Sequence, residues 1–204
     1  MPAGAPPDLG GHVACVTGAS AGLGRRAALV LARAGASVVA VARREAALAT
    51  LVDEAPGPVT ALPYDLSDRA GLADLAAQAA APYGAPDIVV HAAGLNTRET
   101  ADAVTPAGWD ATMTLNLAVP FFLSQHLVPG MRARGWGRIV TFASLQSHRA
   151  FPGGEAAAET GDALAAFHLG HGMAHPQPDP QRVGLLHRGA GLGQHAGIKD
   201  HRHV

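Results

Sequence analysis

The sequence predicts an α/β fold, a doubly wound parallel sheet that stops after its fifth strand. Short β-rich runs alternate with amphipathic Ala/Leu segments as far as Thr141. The joins between runs are long enough for the helical crossovers that parallel strands require. A glycine-rich turn follows the first run and opens the first helix.

Taken in order, His12–Val16 reads as the first strand, and the helix after the glycine turn runs to about Arg33, with Gly35 as its stop signal. Ser37–Ala42 is a second strand and Arg44–Val52 a second helix, ended by Pro56-Gly57-Pro58. Val59–Leu62 is a short third strand. After a turn at Asp65, Asp68–Ala81 reads as an Ala/Leu helix, and Pro86-Asp87 introduces the strand Ile88–Val90. Thr105-Pro106 starts a long helix, since threonine caps and proline suits the first turn. That helix is expected to reach about Arg134 with a bend at Pro120, and Ile139–Phe142 is the fifth strand.

A chain of 204 residues has room for one domain with a sizeable core. With 48% apolar residues, 15% charged residues and a formal net charge of −1, it is neither a disordered acidic chain nor a strongly basic nucleic-acid binder. Aromatics are 4% while alanine supplies 44 residues, so the core is expected to be mostly aliphatic. The single cysteine, Cys15, excludes an internal disulfide framework. The start lacks a basic and then apolar signal region, and the longest apolar stretch, near Leu115–Leu123, falls short of the roughly 18 residues of a membrane span. A cytoplasmic protein with no membrane or nucleic-acid partner is the expectation.

The turn Thr17-Gly18-Ala19-Ser20-Ala21-Gly22-Leu23-Gly24 carries the chemistry. Gly18 permits a tight turn, Gly22 lets the backbone approach a diphosphate, and Gly24 lets the helix pack close to the sheet. The helix then directs free N–H groups and a partial positive charge at the phosphates. At the end of the second strand, Ala42 stands where an NAD site usually has an acid for the ribose 2′-hydroxyl, and Arg43 offers a cation for a 2′-phosphate. NADP is therefore expected over NAD. Arg44 beside it also reads as the solvated basic start of a helix.

These residues resemble the classical short-chain dehydrogenase/reductase family over about residues 10–154. Thr17 to Gly24 match its TGxxxGxG turn, and Asp65-Leu66 match the pair that lies beside adenine. His91-Ala92-Ala93-Gly94 stands at its NNAG with both asparagines replaced. Asn116 matches the asparagine of the long helix, and Gly137 to Ser144 match the fifth strand with its catalytic serine. The resemblance implies a Rossmann-like sheet and reversible hydride transfer between NADP(H) and a small alcohol or ketone. It implies cofactor contacts at Gly18, Ser20, Gly22, Leu23, Gly24, Arg43, Asp65, Leu66, Ala92, Ala93 and Gly94. It implies catalytic roles for Asn116, which would position a water, and for Ser144, which would hydrogen-bond the substrate oxygen. Gly94-Leu95-Asn96 and Ser144-Leu145-Gln146-Ser147 are similar to gluconate- and sugar-acid-type members.

The pattern departs from the family after Ser144. A Tyr-x-x-x-Lys motif is expected about thirteen residues on, where Ala157 and Gly161 stand instead. The only tyrosines, Tyr64 and Tyr83, precede the serine, and the only lysine is Lys199. Losing a general acid/base costs about 10²–10⁴-fold in rate. His148 reads as a loop histidine, with a substitute proton donor as the alternative. Residues 155–204 hold seven of the eleven histidines, one aromatic, Phe167, and only four β-branched residues. They are expected to form a divergent Gly/His-rich tail, with one helix at 155–169 and irregular chain after it. A frameshift, fusion or gene-model error is the expected origin. His168, His171 and His175 have helical spacing, but Gly170, Gly172 and Pro176 disfavour the helix a metal site would need, so no metal is expected. Three readings stay open: an active oxidoreductase, an inactive dinucleotide- or partner-binding protein, and a non-functional product. Oligomeric state is open as well.

Overall fold

β-Branched runs separated by Ala/Leu segments become five parallel strands and their connecting helices over residues 8–144, the part of the chain that the computed structural model describes. The first elements are β1 (Val13–Thr17), α1 (Gly22–Arg33), β2 (Ser37–Ala42), α2 (Glu45–Glu54), β3 (Val59–Pro63) and α3 (Leu72–Ala80). β4 (Ile88–His91), α4 (Pro106–Met113), a π-helical turn (Thr114–Ala118), α5 (Val119–Arg134) and β5 (Arg138–Thr141) follow. The expected helix at 155–169, the tail after it and the candidate histidines there lie outside the described residues.

The sheet order is β3-β2-β1-β4-β5 with every pair parallel. The chain winds outward from β1 to β3, then returns past β1 to build β4 and β5, so a crevice opens where the direction reverses, beyond the carboxyl ends of β1 and β4. One face of the sheet offers Ala14, Val16, Val38, Ala40, Ala42 and Val90 to Ala28 and Ala32 of α1 and Leu48 and Leu51 of α2. Alternate strand positions point the other way, where His91 of β4 meets Ser124 of α5. The small side chains let α1 lie close to the sheet, and the core between them is aliphatic as expected. Cys15 is fully buried, and burial pushes its thiol up to about 12, so it offers no thiolate at neutral pH.

Two features of the helical layer differ from expectation for local reasons. α3 begins at Leu72 rather than Asp68, because Asp68 accepts the Gly71 N–H at 3.3 Å and its own N–H bonds the Asp65 carbonyl at 3.1 Å. These turns compete with the helix for its first backbone groups. Thr105 caps α4 as expected, accepting the Gly108 N–H at 3.0 Å. The long helix, however, is not continuously α-helical up to Pro120. It widens into the π-turn before it, with the Val119 N–H reaching the Thr114 carbonyl. Pro120 has no N–H to aim at the Asn116 carbonyl, so the α-helical ladder fails one turn before it.

The amino ends of the strands are joined by one carboxylate. Asp87 Oδ1 accepts the Val13 N–H at 3.0 Å, and Oδ2 lies 3.0 Å from Nδ1 of His12. The Asp87 carbonyl accepts the Arg138 N–H at 2.8 Å. His12 stacks on Trp136 with ring centroids 4.0 Å apart, and the Arg138 guanidinium lies 4.9 Å from the same indole. Asp87→Ala would leave the buried Val13 N–H without its acceptor, at a cost of about 1–3 kcal/mol. Urea unfolding should show that loss, with Asp87→Asn, which keeps an acceptor, losing less.

Candidate functional site

β1 ends on Thr17, and the chain turns through Gly18 (φ +67°) and Gly22 (φ +53°) into α1. A Cβ on Gly18 would stand 2.6 Å from the Ala92 carbonyl oxygen and the Ala93 nitrogen. A Cβ on Gly24 would collide with the Gly18 carbonyl, whereas one on Gly22 would meet nothing within 4 Å. Two of the glycines therefore close backbone contacts, and the third faces open space. Thr17 Oγ1 locks the first contact: it accepts the N–H groups of Ala92 at 3.2 Å and Ala93 at 3.3 Å, and donates to the Val90 carbonyl at 3.4 Å. The Ala19 N–H reaches the Val41 carbonyl at 3.2 Å, which ties the turn to β2.

α1 directs its amino end into this open space. Its N-cap is Ala21, which supplies no side-chain hydrogen bond, and its first turn carries no acid. Donors and dipole are left for an anion. The fit to a diphosphate is thus direct: room at Gly22, N–H groups behind it, and no resident negative charge.

The neighbouring corner is set by β2 and β3. Ala42 closes β2 without an acid. Asp65 accepts the Ser67 N–H at 3.0 Å and the Ser67 hydroxyl at 2.8 Å, and these bonds, with the charge of Arg43, hold its carboxyl below the usual range. Arg44 is not simply solvated. Its Nε and Nη2 donate to Ser20 Oγ at 3.2 Å and 3.1 Å, joining the start of α2 to the glycine turn. Leu66 is buried and anchors the turn after β3, whereas Leu23 is 63% exposed on α1.

At the other side of the crevice, Gly94 leaves β4 beside Asn116, whose Oδ1 would lie 3.6 Å from a Cβ at that glycine. The Asn116 amide pairs with one residue at both ends: Oδ1 accepts the Leu95 N–H at 2.7 Å and Nδ2 donates to the Leu95 carbonyl at 2.8 Å. The side chain thereby fixes the segment after β4 from within the π-turn. His91 is buried, with Nε2 2.9 Å from Ser124 Oγ. Thr141 pairs in register with His91, so Ser144, three residues on, follows at the same carboxyl edge.

Both tyrosines are committed elsewhere. The Tyr64 hydroxyl donates to the Asp68 carbonyl at 3.2 Å, and the Tyr83 hydroxyl accepts that of Thr60 at 2.8 Å. Burial, with Asp68, Asp74 and Asp65 adding negative charge, raises the Tyr64 phenol above its ordinary value, the wrong direction for proton transfer near neutrality. Sequence reasoning did not assign Thr17, Arg44 or the Leu95 backbone. Thr17 stands in the glycine motif and was legible in principle; the other two depend on tertiary approach. Among the described residues no cluster of three or more His, Cys, Asp or Glu is placed to hold a metal, and no helix is long and apolar enough to cross a membrane.

The three glycines should separate on substitution. Gly18→Ala and Gly24→Ala must move backbone and should lower the unfolding midpoint measurably. Gly22→Ala should cost only the left-handed conformation, about 1–2 kcal/mol, while filling the space before α1. Thermal unfolding with and without NADP checks this: Gly22→Ala should melt above the Gly18→Ala and Gly24→Ala chains yet lose most of the ligand-induced shift.

Comparison with known proteins places this geometry. Residues 12–169 match the family model for short chain dehydrogenase. The chain is 40% identical over 146 residues to L-xylulose reductase of Mesocricetus auratus, covering 70% of this chain and 58% of the reductase. It is 35% identical over 192 residues to gluconate 5-dehydrogenase of Gluconobacter oxydans (strain 621H), covering 93% of this chain and 73% of that enzyme. The crystal structure of a metagenomic short-chain oxidoreductase in complex with NADP superposes with a TM-score of 0.76 at 32% identity, over 80% of this chain and 76% of that one. The chain spans 54–58% of the length of several curated relatives it matches. With its glycine turn, its parallel sheet and this match in agreement, the chain belongs to the short-chain dehydrogenase family.

Proposed function

We propose that this chain is an NADP-binding member of its family, built for hydride transfer between NADP(H) and a small alcohol or ketone. The observation that carries the reading is the open cradle at Gly22 in front of an uncapped, acid-free α1. NADP, when bound, supplies or accepts the hydride. The residues of this chain bind and orient it. Gly18, Gly22 and Gly24 let the backbone reach the diphosphate, while Asp65 and Leu66 border the adenine side. Ala92, Ala93 and Gly94 form the floor. The preference for NADP over NAD rests on Ala42 in place of an acid, with Arg43 beside Asp65 and Arg44 on Ser20. Ser144 would hydrogen-bond the substrate oxygen, and Asn116 would hold the wall beside it. A cytoplasmic location goes with this reading.

A second reading is favoured by the tyrosines. Both are engaged away from Ser144, and no tyrosine follows it in the sequence. A chain that binds NADP without turning over substrate is the form this takes.

One purified sample decides between them. Calorimetric titration should show NADP binding more tightly than NAD, and the double variant Arg43→Ala/Arg44→Ala should weaken NADP about 10–100-fold with NAD little changed. Nicotinamide absorbance followed across a panel of alcohols and ketones then reports hydride transfer. Turnover supports the first reading, and binding without turnover supports the second. Failure to bind either dinucleotide sinks both.

A further inference from the structure

Residues 95–105 leave the carboxyl end of β4, on the side of β1 away from Arg43 and Asp65. Two fastenings hold them to the helical layer. The first is the exchange between Leu95 and the Asn116 amide described above. The second is Glu99. Its Oε2 accepts the Thr97 hydroxyl at 3.2 Å, and its Oε1 accepts the Thr105 hydroxyl at 3.4 Å. The Thr105 oxygen also accepts the Gly108 N–H at 3.0 Å, so one hydroxyl caps α4 and ties it to Glu99. The carboxylate sits at the positive end of that helix. It lies so close to Gly108 that a Cβ there would collide with Glu99 Oε2. The carboxylate ends a flexible side chain, so a side chain at 108 would displace it rather than move the helix backbone. Between the fastenings, Asn96 Oδ1 accepts the Arg98 N–H at 2.8 Å, and Arg98 has φ +57°, the one positive φ outside glycine among the described residues.

We propose that Glu99 is a positioning residue whose carboxylate clasps segment 95–105 to the start of α4, keeps Leu95 in register with Asn116, and so fixes the nicotinamide-side wall of the crevice. The ligand in this proposal rests on the NADP reading above; the clasp itself rests on geometry alone. A dinucleotide laid across a sheet of this order puts its adenosine half over β2 and β3 and its other half over β4 and β5. The clasp borders only the second half. Its release should therefore weaken a ligand that spans the crevice and spare one that fills the adenosine half.

Two ligands and a protease test this on the full chain. NADP spans the crevice, and 2′,5′-ADP occupies only its adenosine side. Trypsin cleavage after the exposed Arg98, taken relative to a free peptide of the same 95–105 sequence because residue 99 itself borders the cleaved bond, reads the freedom of the segment. Glu99→Ala is expected to speed that cleavage and to weaken NADP, each about tenfold, with 2′,5′-ADP binding unchanged. Gly108→Ala should reproduce both effects in the parent chain, yet add nothing in the Glu99→Ala background, because the collision needs both side chains. Glu99→Gln, which keeps the shape and the acceptor oxygen, should recover most of the NADP affinity. Equal loss of both ligands, unchanged cleavage after Arg98, or additive effects of the two substitutions would overturn the clasp. If Glu99→Ala does not fold, the Gly108→Ala and Glu99→Gln chains decide by the same readouts. If the parent chain binds neither ligand, the NADP reading fails, and cleavage with the double-substitution comparison still decides the clasp.

Discussion

Much of the molecule depends on one backbone contact, where the end of β1 meets the end of β4. Gly18 lies against the Ala92 carbonyl, and Thr17 Oγ1 gathers the N–H groups of Ala92 and Ala93. No side chain fits between the two chain segments. Strand β1 is first in sequence but third in the sheet, so this contact joins the two halves that the winding order separates. It also sets the height of the turn that feeds α1, and through it the direction in which that helix aims its free donors. The donors that the proposed phosphate site would use are thus set by sheet closure at a single point.

The described fold was largely legible in the sequence because its signals are local. β2 lies at Ser37–Ala42 as read, since a β-branched run is bounded there by Gly35 and by charged residues. Thr105 caps α4 because the capping bond spans only three residues. What could not be read is tertiary. Arg44 had two readings from sequence, and only the approach of the glycine turn to α2 puts it on Ser20. Glu99 looks like an ordinary loop acid until α4 is folded beside it. Pro120 was read as a bend, and no local signal shows that the backbone answers its missing N–H by widening over Thr114–Ala118.

That widening has a consequence for the site. Asn116 lies within the π-turn, and its amide is turned toward Leu95, with two hydrogen bonds at 2.7 and 2.8 Å. A residue expected to serve chemistry directly thus first serves as a backbone template for the strand-to-helix connection. Its own carbonyl is the acceptor that Pro120 cannot reach, so proline and asparagine form one device four residues apart.

Asp87 acts at the opposite edge of the sheet, where one carboxylate gathers the beginnings of β1 and β4 and the backbone of the same residue reaches β5. None of these bonds involves the glycine turn or the crevice. The sheet is therefore braced at two ends by unlike means, side-chain charge at one and close backbone fit at the other. A ligand bound as proposed would tighten only the crevice end. Breathing motions of the free chain should be largest around the mouth of the crevice, while the Asp87 end keeps the strands aligned as a hinge does the leaves of a book.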